Sequence, residues 1–277
     1  MLSEAEKERR WQAAGLENDT IFGLVMGRKD ICKLFLRSAI PDVVFTDLEV
    51  TPQKEIVNHY HSKAVRLDVL AVDEQGNHYD VEIQVKNEHN VPQRSKFYHS
   101  MMTNRMVGQG ENYQKVKATY VIFVCMFNVN TEEALSHFEM INRNNLNEKL
   151  NDGTHTILLN VNADSSKLNE NLQGLVQVLK RESVNQSQLG QELSKALKEV
   201  KGDMLVKNQL GYASEDMVLY GQQDVIQSLI ENKDKLGLSE NSIIEIIMEK
   251  IHLTKSEAEE LYDEMLEDLE KQKQNQK

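Results

Sequence analysis

The sequence has no apolar run close to the roughly 20 residues that a membrane-spanning helix needs. Its opening segment, MLSEAEKERRWQAAG, is charged and has no apolar centre, so it does not predict a signal peptide. Only two cysteines are present, Cys32 and Cys125, and each lies in an apolar pattern typical of a buried thiol. We therefore expect a cytoplasmic protein with no disulfide and no membrane contact.

Motifs of several enzyme classes are also missing. The glycines of GQGENY, at 108–113, follow a predicted helix and so do not form a phosphate-binding loop between a strand and a helix. No Ser-His-Asp arrangement can be argued from the scattered histidines. His59 and His61 form an H-x-H pair, but no cysteine or acid nearby completes a tetrahedral zinc set, so zinc is a minor alternative there.

The chain of 277 residues has a net charge of −12, and 40% of its residues are hydrophobic, which is typical of a soluble globular protein. The acidic balance argues against a protein that coats nucleic acid through bulk charge. The charge is unevenly spread, however. Residues 231–277 carry 7 basic and 13 acidic side chains, whereas residues 86–105 carry four basic side chains and one acid. A local basic edge is therefore compatible with the acidic total.

The most informative stretch is VRLDVLAVDEQGNHYDVEIQVK, at 65–86, which alternates apolar and polar residues on both sides of a glycine turn. Side chains alternate between the two faces of a strand, so Asp80, Glu82, Gln84 and Lys86 are expected on one face. A second strand carrying Asp68 precedes the turn. Two strands with acids on one face indicate a metal site, although a solvent-exposed polar face is the simpler alternative from these residues alone.

The register of this hairpin decides whether the acids meet. With a three-residue loop at 74–76 and Gly76 in the left-handed conformation, Asp73 pairs with Asn77 and Asp68 lies opposite Glu82. A two-residue loop would place Ile83 opposite Asp68 and send the acids to opposite faces. The metal hypothesis therefore requires the odd-length loop.

Elsewhere the pattern predicts interleaved strands and helices, followed by helices alone. We expect a lead-in at 1–14, an α/β core at 15–165 and a helical C-terminal region at 166–277. The core elements are helices at 20–40, at 92–107 and at 132–142, the last capped by Thr131, and strands at 43–51, 64–73, 78–86, 118–127 and 155–162. Later helices are expected near 169–181, 186–210, 214–232, 239–251 and 254–270.

These features resemble the PD-(D/E)XK nuclease superfamily, and most closely its branch of recombination-promoting nucleases and PD-(D/E)XK nuclease family transposases. The resemblance rests on RLDVLAVDEQGNHYDVEIQV at 66–85, on NDTIFGLVM at 18–26, and on the segment at 94–124 with its helix, Gly-x-x-Tyr turn and strand. It implies a restriction-endonuclease-like core, in which helices flank a central mixed sheet.

The resemblance also implies roles for individual residues. Asp68 and Glu82 would bind Mg²⁺, with Mn²⁺ and Ca²⁺ as alternatives, and Gln84 would stand where the superfamily usually has lysine. Glutamine supplies no positive charge and cannot act as a general base, so the metal does most of the work, Lys86 on the same face substitutes, or activity is reduced. Arg94, Tyr98 and Arg105 would face DNA phosphates, although a helix face whose arginines extend around Met101 explains them equally well.

We therefore expect a metal-dependent DNA endonuclease associated with recombination or mobile elements. The competing hypothesis is a catalytically weak or inactive module that binds DNA or protein, favoured by Gln84 and by the net charge of −12. The acidic C-terminal helices could then bind a protein partner, and a homodimer is compatible with either hypothesis. The DNA target cannot be deduced from the sequence.

Overall fold

The computed structural model describes residues 4–56, 65–108, 110–129, 131, 133–203, 229, 230, 233, 237–251, 255, 258, 259, 262, 263 and 266. The chain divides into two compact units, one of residues 14–203 and one of residues 1–13 with 204–277. Several predictions lie wholly or mostly outside the described residues: the His59/His61 pair, the helices near 214–232 and 254–270, and the end of the helix at 186–210.

The described helices follow the predicted positions closely, with one exception. The helices are α1 (Glu4–Ala13), α2 (Asp19–Met26), α3 (Lys29–Ala39), α4 (Val91–Asn104), α5 (Glu170–Lys180), α6 (Gln188–Gly202) and α7 (Glu240–Ile251). The strands are β1 (Leu48–Ile56), β2 (Val65–Asp73), β3 (His78–Gln84), β4 (Thr119–Cys125), β5 (Leu135–Phe138), β6 (Ile141–Asn142), β7 (Asn145–Lys149) and β8 (Thr154–Asn160). Asn18 caps α2, since its side chain accepts a hydrogen bond from the Ile21 N–H.

A mixed sheet of six strands, in the order β1-β2-β3-β4-β8-β5, forms the centre of the larger unit. β1, β2 and β3 pair antiparallel, β3, β4 and β8 pair parallel, and β5 pairs antiparallel with β8 at the far edge. Every residue of β4 is buried, as the apolar run at 118–127 predicts for a strand covered on both faces. With its flanking helices, this sheet confirms the predicted α/β core.

Two local predictions are wrong. The helix expected at 132–142 is absent: the segment forms β5 and then β6, because pairing with β8 outweighs the helical preference of the isolated sequence. The strand expected at 43–51 lies later and runs through Pro52 to Ile56. A proline is tolerated there because β1 is an edge strand and one of its sides needs no hydrogen-bond donor.

Helix α4 is fixed to one face of the sheet by apolar packing and by a polar anchor. Its apolar side chains join those of β2 and β4 in one buried cluster: Leu67, Leu70, Val91, Tyr98, Met101, Met102, Val121, Phe123 and Cys125. The two ring nitrogens of His99 lie 2.7 Å from the Thr119 hydroxyl and 3.1 Å from the Thr156 hydroxyl. Because β4 and β8 carry these threonines, the anchor fixes the position of α4 along the sheet.

The smaller unit has its own apolar cluster, in which Ile243, Ile244 and Ile247 of α7 pack with Ile230, Ala258 and Tyr262. All described residues after β8 that have regular structure are helical, in agreement with the predicted C-terminal region. Among the described residues, no helix is both long enough and apolar enough to cross a membrane.

The buried anchor predicts a pH dependence of stability. Burial lowers the pKa of His99 to about 4, whereas histidine in an unfolded chain titrates near pH 6.5. Below pH 6.5 the unfolded chain therefore takes up a proton that the folded protein does not, and stability falls as the pH falls. Between pH 7 and pH 5 the free energy of unfolding of the wild type should therefore fall. In His99→Gln this fall should be smaller by roughly 2 kcal/mol than in the wild type.

Urea unfolding at both pH values measures this difference. The exposed His89 provides the control, since His89→Asn should keep the pH dependence of the wild type. An unchanged dependence in His99→Gln would show that His99 is not the titrating group.

Candidate active site

The β2–β3 hairpin has the three-residue loop and the register that bring the two acids together. The Asp73 N–H donates to the Asn77 carbonyl oxygen at 3.1 Å, and Gly76 has a φ of +87°. Val69 pairs with Val81, so the next residues along, Asp68 and Glu82, lie opposite each other. The predicted register is confirmed.

Backbone pairing between β2 and β3 extends no further than Val69 and Val81, and at this point carboxylates replace backbone acceptors. The Asp68 N–H donates to Glu82 Oε1 at 2.9 Å, and the Ile83 N–H donates to Asp68 Oδ2 at 2.9 Å. Each acid thus accepts a backbone hydrogen bond from the other strand. We call this point the strand fork, defined by Asp68, Glu82 and Ile83.

The backbone of β1, the strand on the other side of Asp68, is irregular as well. Pro52 and Lys54 of β1 pair with Val69 and Leu67, whereas Gln53 between them has a φ of +49° and does not pair with Asp68. Helix α2 passes close to the same point: a Cβ atom at Gly23 would lie 3.3 Å from the Asp68 carbonyl oxygen. A glycine is needed here because the helix backbone approaches the strand so closely.

Of the two acids of the strand fork, Glu82 is buried and Asp68 is partly buried, and the pKa of each reflects this. Burial raises the pKa of Asp68 to about 8, and the nearby negative charge of Glu82 adds to the rise. Burial also raises the pKa of Glu82, which is 1% exposed, although the Asp68 N–H and the guanidinium of Arg94 oppose this effect. Each carboxylate lacks much of the hydration that would stabilise its negative charge in water. A positively charged ligand would supply this stabilisation to both acids.

Asp80 is a third acid at this site, and the sequence analysis did not assign it a role. It is 0% exposed, and as a carboxylate its oxygens have no hydrogen-bond donor; in the protonated form its hydroxyl can donate to Glu82, which contributes to its raised pKa. Burial and then the neighbouring Glu82 raise its pKa well above the ordinary value. The i, i+2 spacing of Asp80 and Glu82 on β3 was the available signal, but it does not distinguish a buried acid from one on a solvated face.

Arg94 provides the positive charge that contacts these acids. Its Nη1 donates to Gln84 Oε1 at 2.6 Å, and its Nη2 lies 3.4 Å from Glu82 Oε2. The Tyr98 hydroxyl accepts from Nε at 3.1 Å and from Nη2 at 2.5 Å, and the guanidinium carbon lies 5.4 Å from the centre of the Tyr98 ring. Arg94 and Tyr98 of α4 thus belong to the same site as Glu82 and Gln84.

Other predicted residues lie further away. Lys86 is exposed and lies two residues beyond the end of β3. Arg105 follows the C-terminus of α4, roughly 16 Å from Arg94 along the helix axis. Asp19 pairs with Arg66 at 3.2 Å, and its charge adds to the raised pKa of Asp68.

Asp68, Asp80 and Glu82 carry carboxylate oxygens, the ligands that Mg²⁺, Mn²⁺ and Ca²⁺ prefer. One oxygen from each does not lie within 4.8 Å of those of the other two, so the three acids can share a cation only if their side chains move closer together. Arg94 is the one guanidinium that forms an ion pair with this group among the described residues. The unpartnered oxygens of Asp80 fit a bound cation, because burial without a partner is otherwise costly.

The comparisons with known proteins agree with this geometry. The family model described as PD-(D/E)XK nuclease family transposase matches residues 17–209, which include every acid of the site together with α4, α5 and α6. No curated protein and no solved structure gives a significant match. Since the match covers more than half of the chain, the protein belongs to the PD-(D/E)XK nuclease family transposases.

Proposed function

We propose that the protein is a Mg²⁺-dependent DNA endonuclease that hydrolyses phosphodiester bonds in recombination or in the movement of genetic elements. Membership of the transposase family supports a nuclease with a link to mobile elements. The metal dependence and the reaction itself are the parts that we infer from the site.

One observation carries the proposal: two buried carboxyl groups, Asp80 and Glu82, lie beside a third that is partly buried, Asp68, and Arg94 forms an ion pair with Glu82. Asp80 and Glu82 are 0% and 1% exposed, and Asp68 shares their face of the sheet at the strand fork. Such a concentration of acids is costly in a protein interior unless a cation or protons neutralise it. A site that is costly without a ligand is typical of metal centres in enzymes.

In this proposal Asp68 and Glu82 hold the metal, and Asp80 either adds a third carboxylate or orients the side chain of Glu82. A bound divalent ion would stabilise negative charge on the scissile phosphate and activate a water molecule for attack. The residues of the chain position the reaction. The backbone N–H groups of Asp68 and Ile83 fix one oxygen of each acid. Asp68 Oδ1 and Glu82 Oε2 are left for the ligand, and Glu82 Oε2 also lies 3.4 Å from Arg94 Nη2.

Two cations could supply the positive charge that Gln84 lacks. Lys86 shares the alternation of β3 in sequence, whereas Arg94 contacts both Gln84 and Glu82. An arginine also offers several donors in a plane, which suits a phosphate oxygen better than a single ammonium group does. We therefore infer that Arg94 takes the role of the usual lysine, through its bond to the Gln84 amide oxygen.

DNA can approach a protein of net charge −12 through its local basic edge. Residues 86–105 carry Lys86, Arg94, Lys96 and Arg105 against the single acid Glu88. Contacts from such residues to phosphates give affinity that depends on salt rather than on sequence. We propose that this segment binds the DNA backbone beside the strand fork.

A plasmid-nicking assay tests the proposed reaction. Purified protein should convert supercoiled plasmid to the nicked form with Mg²⁺ and should lose this activity on addition of a chelator. Asp68→Ala and Glu82→Ala should each abolish nicking, because each removes a proposed metal ligand.

Glu182→Ala is the control, since Glu182 is an exposed acid outside the strand fork and outside residues 86–105. It should nick like the wild type, and thermal unfolding should establish that all three variants fold. Nicking that survives both Asp68→Ala and Glu82→Ala would refute the site. A wild type that folds, binds DNA and never nicks would favour the non-catalytic module.

A second set of variants separates Arg94 from Lys86. Arg94→Ala should lower the nicking rate on the order of 100-fold, as expected for losing one charged donor to a phosphate, whereas Lys86→Ala should change it by less than about threefold. Adding Gln84→Lys to Arg94→Ala should restore part of the rate, because it returns a cation to the same location. If Lys86→Ala caused the larger loss, the assignment of the cation to Arg94 would be wrong.

Two buried aspartates on one hairpin allow a matched stability test. Asp73 accepts hydrogen bonds from Gln75, Asn77 and the Tyr79 hydroxyl, whereas Asp80 accepts none. Without metal, Asp80→Asn should raise the free energy of unfolding by roughly 2 kcal/mol, because it removes an unsatisfied acid. Asp73→Asn should lower it by a similar amount.

The same variants report on the metal. Mg²⁺ should raise the melting temperature of the wild type and of Asp73→Asn, and should raise it less in Asp80→Asn. Equal Mg²⁺ effects in the wild type and in Asp80→Asn would exclude Asp80 from the metal site. A lower stability of Asp80→Asn without metal would contradict the strain that we infer.

A further inference from the structure

A second group of possible ligands lies at the β5 edge of the sheet, away from the carboxylates of the strand fork. His137 Nε2 of β5 and His155 Nδ1 of β8 are 3.0 Å apart, and Glu139 Oε1 lies 3.4 Å from the same His155 nitrogen. One ligand atom from each residue lies within 4.8 Å of those of the other two. In the part of the chain that the structure describes, no other trio of His, Cys, Asp or Glu side chains converges in this way.

This group lies on the opposite face of the sheet from the acids of the strand fork. In the parallel part of the sheet, His155 of β8 pairs with Tyr120 of β4, which pairs with Tyr79 of β3. The three rings stack, with centroid distances of 4.4 Å between His155 and Tyr120 and 4.9 Å between Tyr120 and Tyr79. Asp80 follows Tyr79 on β3, so its side chain projects from the other face. The two groups are therefore independent sites.

The surroundings of His155 favour ligand binding. Stacking on Tyr120 restricts the imidazole plane, so less rotational freedom is lost when the ring binds an ion. Burial, with the nearby His137, lowers the pKa of His155, and neutral imidazole is the form that binds metals. The short His137–His155 distance requires one ring to accept a hydrogen bond, which leaves at most one proton between the two nitrogens.

A cavity of about 160 Å³ borders the group, with Glu139, His155, Lys149 and Asp152 in its wall. It has room for water on the open side of the ligands. Lys149 forms an ion pair with Glu139, and its side chain is 55% exposed. Such an exposed ion pair is screened by solvent and contributes far less than a metal ion bound by three ligands contributes. The lysine therefore competes only weakly for Glu139.

We propose that His137, Glu139 and His155 bind one Zn²⁺ ion, with the fourth coordination position open to the cavity. Two imidazole nitrogens and one carboxylate oxygen suit zinc and its neighbours Co²⁺ and Ni²⁺, whereas Mg²⁺ prefers oxygen ligands alone. The ion would link the edge strand β5 to β8, next to the β6–β7 hairpin. This site does not depend on the proposed nuclease activity.

Metal titration of the untagged full-length chain tests the proposal. After treatment with a chelator, the wild type should bind one equivalent of Zn²⁺, and Co²⁺ in its place should give the visible absorption of a four-coordinate site. His137→Ala and His155→Gln should each weaken Zn²⁺ binding by more than about 100-fold, since loss of a direct ligand should exceed the loss of an outer partner. Lys149→Ala should strengthen binding, because it removes the competitor for Glu139.

A control separates this site from other exposed histidines. His89→Asn replaces an exposed histidine elsewhere and should bind Zn²⁺ like the wild type. His137 is exposed on an edge strand, so His137→Ala should remain folded even if His155→Gln does not. Absence of saturable Zn²⁺ binding in the wild type, or unchanged binding in folded His137→Ala, would overturn the proposal.

Discussion

The candidate site depends on one exchange of hydrogen bonds, in which two acids replace the backbone acceptors where β2 and β3 separate. Asp68 and Glu82 each accept from a backbone N–H of the opposite strand, so the strands can part without leaving those donors unsatisfied. The same exchange holds the buried Glu82 and the partly buried Asp68 in place, and burial raises the pKa of each carboxyl group. Structural and chemical requirements therefore coincide in the same two carboxyl groups, and neither acid can be replaced without affecting both.

Helix α4 packs on the face of the sheet that carries the acids and completes the site. The contacts of His99 with Thr119 and Thr156 determine where the helix lies, and this position brings Arg94 to Gln84 and Glu82. Gln84 thus uses its side-chain oxygen to accept a hydrogen bond from the guanidinium of Arg94. The positive charge comes from a different element of the fold, ten residues further along the chain.

The sequence predicts the parts of this arrangement that local patterns encode. The loop at 74–76, the register of Asp68 with Glu82 and the buried strand β4 all follow from alternation and from one glycine. The prediction of a helix at 132–142 was wrong because this segment pairs with β8 at the edge of the sheet, and such a long-range interaction leaves no local pattern in the sequence. Asp80 and the bond from Arg94 to Gln84 were missed for a similar reason: α4 determines both burial and contact, and no periodicity in the sequence specifies where that helix packs.

The strand fork also marks the point where the sheet separates into two parts. Beyond Val69 and Val81, β2 remains joined to β1 while β3 remains joined to β4, so Asp68 lies on a two-stranded ribbon and Glu82 lies on the parallel body of the sheet. The two acid-to-backbone hydrogen bonds, from the Asp68 N–H to Glu82 and from the Ile83 N–H to Asp68, therefore bridge the ribbon and the body of the sheet where backbone pairing has ended. A substitution at either acid thus also removes a link between these two parts of the sheet.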